Sequence, residues 1–558
     1  MEFGQIALLL VFAAGFGVMS SFFKQPAIVG YLLAGLLMSS LGLLPDAPIL
    51  ESFGQIGVAL LLFLLGLEMK LSELPTIGKA ALFTGIGQII TTFSFGFIIA
   101  LLLGFEIVSA SYIAIALTFS STIIIVKLLS EKKDLQSLYG RISVGFLLVQ
   151  DFVAVVILMF LAGLGQSGGG AFDYLALFLK AAVLLSAVWF LSKKVLPGLV
   201  ERFVATNSEL IFLFSVAWAL GIAFFVSEQL GFTIEIGGFL AGLSLSNSPE
   251  HLQIAARTRP LRDFFLTIFF VILGTKLGLS DQTLSIIPQA VIFSLFVLVG
   301  NPAIVMAVMG ALGYKKRTGF MAGLTTAQIS EFSLILVAMG LGLGHVTQGD
   351  VSLVTMVGVI TMTLSTYLIM GSSRVFEAIS PYIGFFERKR TKEGVYIKKT
   401  DYKGHIVLLG CDRSGFPIAS YLKRKGIYKF VVVDFNPRVF TKLSSEGYNV
   451  IFGDIEDPEI LDASGLEYAK LVISTTLDYK ADLTALEYLK TKNSRANSIF
   501  TASEKRYGIK LYEKGATFVV VPESLAGDYV KHLLRVSFSS SGLVKMGKNH
   551  FNRLIAGR

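Results

Sequence analysis

A single cysteine, Cys411, stands in a chain of 558 residues. It excludes an intrachain disulfide framework and offers no metal-binding spacing. Charge is scarce too: Asp, Glu, Lys and Arg make up 16% of the residues, where a soluble protein carries roughly a quarter. The shortage is uneven. Before about residue 385 apolar stretches follow one another almost without pause, and after it the pattern is that of a soluble domain. No small-residue cleavage site follows the first stretch, so it reads as a retained helix rather than a signal peptide. The formal net charge of +9 would suit nucleic acid, but the placement of the basic residues explains it otherwise.

Windows long enough to cross about 30 Å of hydrocarbon give about thirteen helical spans: 5–22, 26–42, 53–68, 78–104, 109–129, 140–164, 173–196, 208–228, 234–247, 260–279, 285–313, 318–344 and 350–371. Odd-numbered connections hold Lys24, Lys70, Lys79, Lys132, Lys133, Arg141, Lys193, Lys194, Arg202, Arg257, Arg259, Arg262, Lys315, Lys316 and Arg317. Even-numbered ones hold Asp46, Glu51, Glu106, Asp173, Asp281 and Asp350, with Lys276 the only base near them. Basic loops mark the cytoplasmic face. The N-terminus is then expected outside, the C-terminal part inside, and the positive charge is a topology signal with no nucleic-acid partner.

The sixth span reads Gly145-Phe-Leu-Leu-Val-Gln150-Asp151-Phe. A carboxylate at membrane depth is a functional hypothesis by default. Desolvation disfavours its bare charge, so it holds a proton or a cation but not both favourably. That competition suffices for an exchanger with alternating access. Span five carries Thr118-Phe-Ser120-Ser121-Thr122, and span twelve carries Thr325-Thr326-Ala-Gln328-Ile-Ser330-Glu331. Helix-competing polar residues at corresponding places, seven spans apart, point to broken helices in inverted repeats with the site between them. The plainer alternative is hydroxyls bonding back to the preceding turn. Thr118, Ser120, Ser121 and Gln150, with unwound carbonyls, would complete an oxygen shell for K⁺ or Na⁺, hard cations that favour oxygen.

Residues 386–403 form a charged linker. Beyond it strands expected at 406–409, 430–433, 450–452, 471–474, 498–501 and 517–521 alternate with helices, which implies a parallel sheet with crossover helices over 404–525. Gly410-Cys-Asp412-Arg413-Ser-Gly415 occupies the place of a G-x-G-x-x-G turn, and Asp434 ends the next strand. Such glycines admit phosphate at a helix N-terminus, and such an acid binds ribose hydroxyls. Asp412 replaces the second glycine and sets a negative charge beside the expected phosphate, with Arg413 next to it as an offset. Residues 526–558 read as a basic tail without an assignable fold.

The segments Gln25-Pro-Ala-Ile-Val-Gly-Tyr-Leu-Leu-Ala-Gly35, Phe63-Leu-Leu-Gly-Leu-Glu68, Phe119-Ser-Ser-Thr122, Gln150-Asp151, Gly237-Gly-Phe-Leu-Ala-Gly242 and Phe269-Phe-Val-Ile-Leu-Gly274 resemble the cation:proton antiporter-2 family. The likeness is to its Kef-type potassium/proton exchangers, which also end in a nucleotide-binding domain, and it spans nearly the whole chain. It implies thirteen helices, crossed broken helices five and twelve, a homodimer in the plasma membrane and elevator-like movement of a core domain. Sodium/proton members typically carry Asp-Asp where this chain has Gln150-Asp151, and a lysine on helix eleven where it reads Asn301-Pro302. One carboxylate without a lysine resembles the electroneutral, potassium-leaning branch. Asn301 is then a site residue or a helix irregularity. Gln328 and Glu331 resemble the family's Gln-Gly-Gly-Glu-Phe stretch, as a second proton site or as packed structural groups.

Gly453-Asp454-Ile-Glu-Asp457-Pro and Ser474-Thr475-Thr476 look like the regulator-of-potassium-conductance domain. That implies AMP, ADP, ATP or NAD(H) near Gly410, Asp412, Arg413, Gly415, Asp434, Asp454 and Thr475; the alternative is a dimerising scaffold. The glutathione gating of Kef systems is not expected, because the segment before span ten (250–260) is basic instead of acidic. Neither an enzyme nor a channel is indicated. No residue set suggests a hydride-acceptor site, and a Thr-Val-Gly-Tyr-Gly filter is missing. A sodium/proton antiporter of the same build is the runner-up.

Overall fold

The computed structural model describes residues 2–43, 48–68, 79–132, 134–135, 137–164, 184, 186, 188, 190–200, 208–230, 233–248, 250–277, 285–388, 402–411, 414–427, 429–492, 495–536, 544 and 546–548. The chain forms two compact units. One comprises Met1–Leu128, Ile142–Met309 and Gly319–Tyr382; the other comprises Leu129–Arg141, Gly310–Thr318 and Ile383–Arg558.

The first unit is helical. Its elements are α1 (Glu2–Phe22), α2 (Ala27–Ser40), α3 (Pro48–Glu68), α4 (Lys79–Leu102), α5 (Ile107–Ala116), α6 (Thr122–Lys132), α7 (Leu138–Leu164), α8 (Ser208–Leu230), α9 (Ile234–Leu245), α10 (His251–Thr275), α11 (Ile287–Leu295), α12 (Asn301–Ala311), α13 (Lys316–Leu324), α14 (Glu331–Gly342), α15 (Gln348–Met370) and α16 (Ser372–Ile379). Among the described residues, six helices are long and apolar enough to cross a membrane, and five shorter apolar ones accompany them. Helix occupies twelve of the expected spans, and the seventh lies largely outside the described residues.

Three departures have physical causes. Spans five and twelve are each two helices, α5 with α6 and α13 with α14, separated by short non-helical turns at the Ser/Thr clusters. Span eleven contains a π-helical turn, Phe296–Gly300, just before Asn301 and Pro302. Proline there lacks the amide that a regular turn would use, and π-bulges absorb such interruptions. The helix expected from residue 260 already begins at His251 and runs through Pro260, because its basic residues are good helix formers even though they are too polar for hydrocarbon.

Backbones in this unit touch at the glycines of the family-like segments. A Cβ added at Gly242 would lie 1.9 Å from Phe63 O, one at Gly35 1.9 Å from Val271 O, and one at Gly274 2.2 Å from Leu32 O. Without a hydrophobic driving force between helices in lipid, such close approach supplies the packing energy.

The second unit holds a six-stranded parallel sheet: β1 (Ile406–Leu409), β2 (Phe430–Asp434), β3 (Val450–Phe452), β4 (Leu471–Ser474), β5 (Asn497–Thr501) and β6 (Phe518–Val520), in the order β3-β2-β1-β4-β5-β6. Helices α17 (Gly415–Arg424), α18 (Pro437–Ser445), α19 (Pro458–Ala463), α20 (Tyr479–Lys492) and α21 (Lys505–Glu513) connect them, and α22 (Pro522–Val536) follows. That last helix extends into the stretch expected as a tail, and most of the remainder lies outside the described residues. The central strands are nearly continuous Val, Ile and Leu because both sheet faces are covered. Strand order reverses between β1 and β4, which opens a crevice at their carboxyl ends.

Candidate functional site

The two breaks meet in a buried polar centre. Asn301, fully buried, donates its amide to Leu117 O at 3.1 Å in the first break and to Thr326 O at 3.4 Å in the second. Its carbonyl accepts from the Thr92 hydroxyl at 3.0 Å. Gln88, one turn earlier on α4, donates to Thr92 Oγ1 at 3.0 Å and to Thr118 O at 3.1 Å. Its own oxygen accepts from the Gln150 amide at 2.7 Å, and Gln150 Oε1 accepts from Ser120 N at 3.1 Å. One uncharged chain of hydrogen bonds thus joins α4, α7, α12 and both breaks. Each amide is oriented by its neighbour, so unwound carbonyls that regular helix would satisfy keep partners.

Asp151 sits one residue from that chain, with only 7% of its surface exposed. The Thr122 hydroxyl, in the first turn of α6, donates to Asp151 Oδ2 at 2.9 Å. Ser121 Oγ accepts from Ile124 N at 3.3 Å and caps the same helix. The Ser120 hydroxyl is buried and makes no hydrogen bond. Thr118 spends its hydroxyl on Ile115 O at 2.7 Å, which is the plainer back-bonding role. The structure therefore brings Asp151, Gln150, Thr118, Ser120, Ser121 and Asn301 to one neighbourhood.

Gln328 and Glu331 occupy the second break. Gln328 accepts from Ser365 at 2.7 Å, while its amide nitrogen is buried without a partner. Glu331 opens α14, which Ser330 caps, and its Oε2 is likewise buried and unpaired. Gln88, Thr92 and Thr122 were not among the expected site residues. The available signal was Thr84, Gln88 and Thr92 recurring every four residues on a mainly apolar helix. Thr122 belongs to the Ser/Thr cluster itself.

In the second unit, Gly410 has a φ of +79° and turns the chain after β1. The Cys411 amide donates to Asp434 Oδ2 at 2.8 Å, and Asn436 N donates to Oδ1 at 2.7 Å. Thr475 closes the other wall by donating to Gly410 O at 2.9 Å. A Cβ on Gly415 would lie 2.3 Å from Gly410 O, so α17 packs against the turn only because that position is glycine. Gly410, Gly415, Asp434 and Thr475 line one crevice; Asp412 and Arg413 lie outside the described residues. Asp454 is placed elsewhere: its carboxylate accepts from Glu456 N at 3.0 Å and Leu138 N at 3.2 Å. Deeper in, Asp482 takes the Ser474 and Thr476 hydroxyls. Burial pushes its carboxyl up to about 7 against those hydrogen bonds.

Residues 6–370 match the family of sodium/hydrogen exchanger transmembrane domains, and residues 406–522 match the TrkA-N domain. YbaL of Escherichia coli (strain K12), a candidate cation/proton antiporter, is 28% identical over 92% of this chain and 94% of its own length. K(+) efflux antiporter 5 of Arabidopsis thaliana is 31% identical over 65% of this chain and 64% of its own. The sodium proton antiporter MjNhaP1 of Methanocaldococcus jannaschii shares the membrane fold, with a TM-score of 0.50 at 15% identity, covering 69% of this chain and 98% of that one.

Proposed function

Because the chain belongs to the sodium/hydrogen exchanger family and continues into a cytosolic TrkA-N domain, we propose that it is a regulated potassium/proton antiporter. Asp151 is its alternating ligand. The observation that carries this reading is a buried carboxylate bonded to the first turn of α6 beside an interrupted helix. The N-terminal end of α6 favours the ionised carboxylate when a cation is present. When the cation leaves, the desolvated charge is relieved by a proton. The neutral amide chain beside it neither gains nor loses charge, so one cation exchanges for one proton. Asn301 stands where a lysine would add a second charge, which supports electroneutral turnover. Potassium is favoured by the likeness to K(+) efflux antiporters. The Gly410 crevice is suited to an adenine nucleotide or NAD(H), which would regulate exchange.

The test is proteoliposome flux followed with a pH dye, comparing Na⁺, K⁺, Rb⁺ and Li⁺. Wild-type protein is expected to respond to K⁺, and Asp151→Asn is expected to show no coupled flux. Full activity in Asp151→Asn would overturn the site, and a response to Na⁺ alone would replace potassium by sodium.

A further inference from the structure

A buried charge cluster in the second unit plays no part in the nucleotide reading. Segment 129–141 joins α6 to α7, segment 310–318 joins α12 to α13, and both belong to the second unit. Lys480, in α20 after β4, lies 2.7 Å from Asp134 and 3.0 Å from Glu456 Oε2. Arg317 approaches that same oxygen at 3.7 Å, and Lys315 pairs with Asp457 at 3.1 Å. Lys132 pairs with Asp134 at 3.2 Å, and Tyr139 donates a hydrogen bond to Asp134. Asp454 holds Leu138 N, and Asp478 contributes its field to Asp134 and Lys480 from the start of α20.

Among the described residues, the carboxylates Asp134, Asp454, Glu456, Asp457 and Asp478 crowd around Lys132, Lys315, Arg317 and Lys480, and Asp482 adds its field to Asp478 from α20. Carboxylates crowded into a buried site relieve their repulsion most simply by holding a proton. An independent observation says where. Glu456 is 6% exposed, and its Oε1 is buried without a hydrogen-bond partner, while Oε2 faces Lys480 and Arg317. Burial raises the Asp454 and Glu456 carboxyls together; burial first, and then Asp454, push Glu456 up to about 7 against the pull of Lys480.

We propose that Glu456 is a regulatory proton site that sets how firmly the second unit holds segments 129–141 and 310–318. The proposal rests on the antiporter reading, because those segments continue into the helices that carry Thr122, Asp151 and the second break. A glutamate with an ordinary value of 4.5 binds its proton more tightly in the cluster than when released to water, so the proton favours the held state. As cytosolic pH rises through about 7 the proton leaves, repulsion among Glu456, Asp454 and Asp134 loosens the grip, and exchange speeds up. A single linked proton changes the held-to-released ratio by at most about tenfold per pH unit.

Hydrogen–deuterium exchange of the full-length protein in liposomes, at about pH 6 and about pH 8 and corrected for intrinsic rates, tests the grip without requiring transport. Peptides covering 129–141 and 310–318 are expected to lose protection at the higher pH. In Glu456→Gln, which keeps the shape and removes the titration, they stay protected, and cation/proton exchange no longer rises across that interval. Lys480→Met is expected to leave both segments unprotected at either pH. Equal protection at both pH values in wild type would sink the proposal. So would a protection step with an unchanged transport profile in Glu456→Gln. Absence of coupled flux in wild type would instead defeat the antiporter reading, while the exchange measurement would still judge the proton site.

Discussion

Gln88 does two jobs with one amide. It fixes Gln150 and it satisfies Thr118 O in the first break. Gln88→Leu leaves a buried carbonyl and a buried amide nitrogen unpaired, at about 1–3 kcal/mol each. Because both partners sit beside Asp151, the loss is expected in cation affinity: the KM for the transported ion rises roughly tenfold or more with a smaller change in maximal rate. Rescue toward wild-type KM by Gln88→Asn, which keeps the amide donor for Thr118 O, would mark a hydrogen-bonding role, and an unchanged KM in Gln88→Leu would remove Gln88 from the site. Asn301→Ala is expected to be harsher, since its amide serves both breaks at once. The flux assay in proteoliposomes measures both. Asp151 stands out in the sequence because a lone acid in hydrocarbon demands an explanation, and the structure buries it. Gln88 does not stand out, since a neutral amide on an apolar helix has no charge to betray it, and its partners stand 30 and 62 residues away.

Broken helices were legible as Ser/Thr clusters, and the structure interrupts both spans there. The rule of helix-competing hydroxyls located the breaks but not how they are held. Thr118, Thr325 and Thr326 turn their hydroxyls back on the preceding turn, while backbone carbonyls from both breaks converge on Asn301. The π-helical turn before Asn301 has a local cause in Pro302, but what the sequence does not show is its tertiary consequence, the Asn301 amide reaching carbonyls of both breaks. The glycine segments were recognised by likeness, and their physical role emerges only from backbone contact. Gly242→Val would drive side-chain atoms into Phe63 O, where Cβ alone already falls 1.9 Å away. Overpacking of that kind costs about 1–3 kcal/mol when neighbours can shift, and more when the obstacle is backbone. The α3–α9 pair is expected to separate, read as a lowered detergent melting temperature and loss of exchange, whereas Gly221→Val, with open space around it, is expected to retain both.

The whole chain joins a membrane exchanger to a parallel sheet, and the composition change near residue 385 announced that division. The sequence did not reveal that segments 129–141 and 310–318 group with the sheet, because ion pairs such as Asp134–Lys480 link residues 346 apart. Regulation by nucleotide is therefore best tested on the intact protein. Asp434 gives one oxygen to the Cys411 amide and the other to Asn436 N, so it shapes the turn, and under the proposed nucleotide reading it also offers an acceptor to ribose hydroxyls. Asp434→Ala removes both functions and is expected to weaken nucleotide binding roughly tenfold to a hundredfold, the equivalent of about 1–3 kcal/mol. Asp434→Asn keeps an acceptor for Cys411 N and is expected to lose less. Binding of AMP, ADP, ATP and NAD(H) to the full-length protein would be followed by calorimetry, and exchange by flux with and without the ligand that binds. If the crevice regulates transport, Asp434→Ala keeps basal exchange, which the proposed mechanism assigns to Asp151 in the other unit, and loses only its response to nucleotide. If none of the four ligands binds wild-type protein, the domain is a scaffold and the Gly410 turn serves only to pack α17 against the sheet.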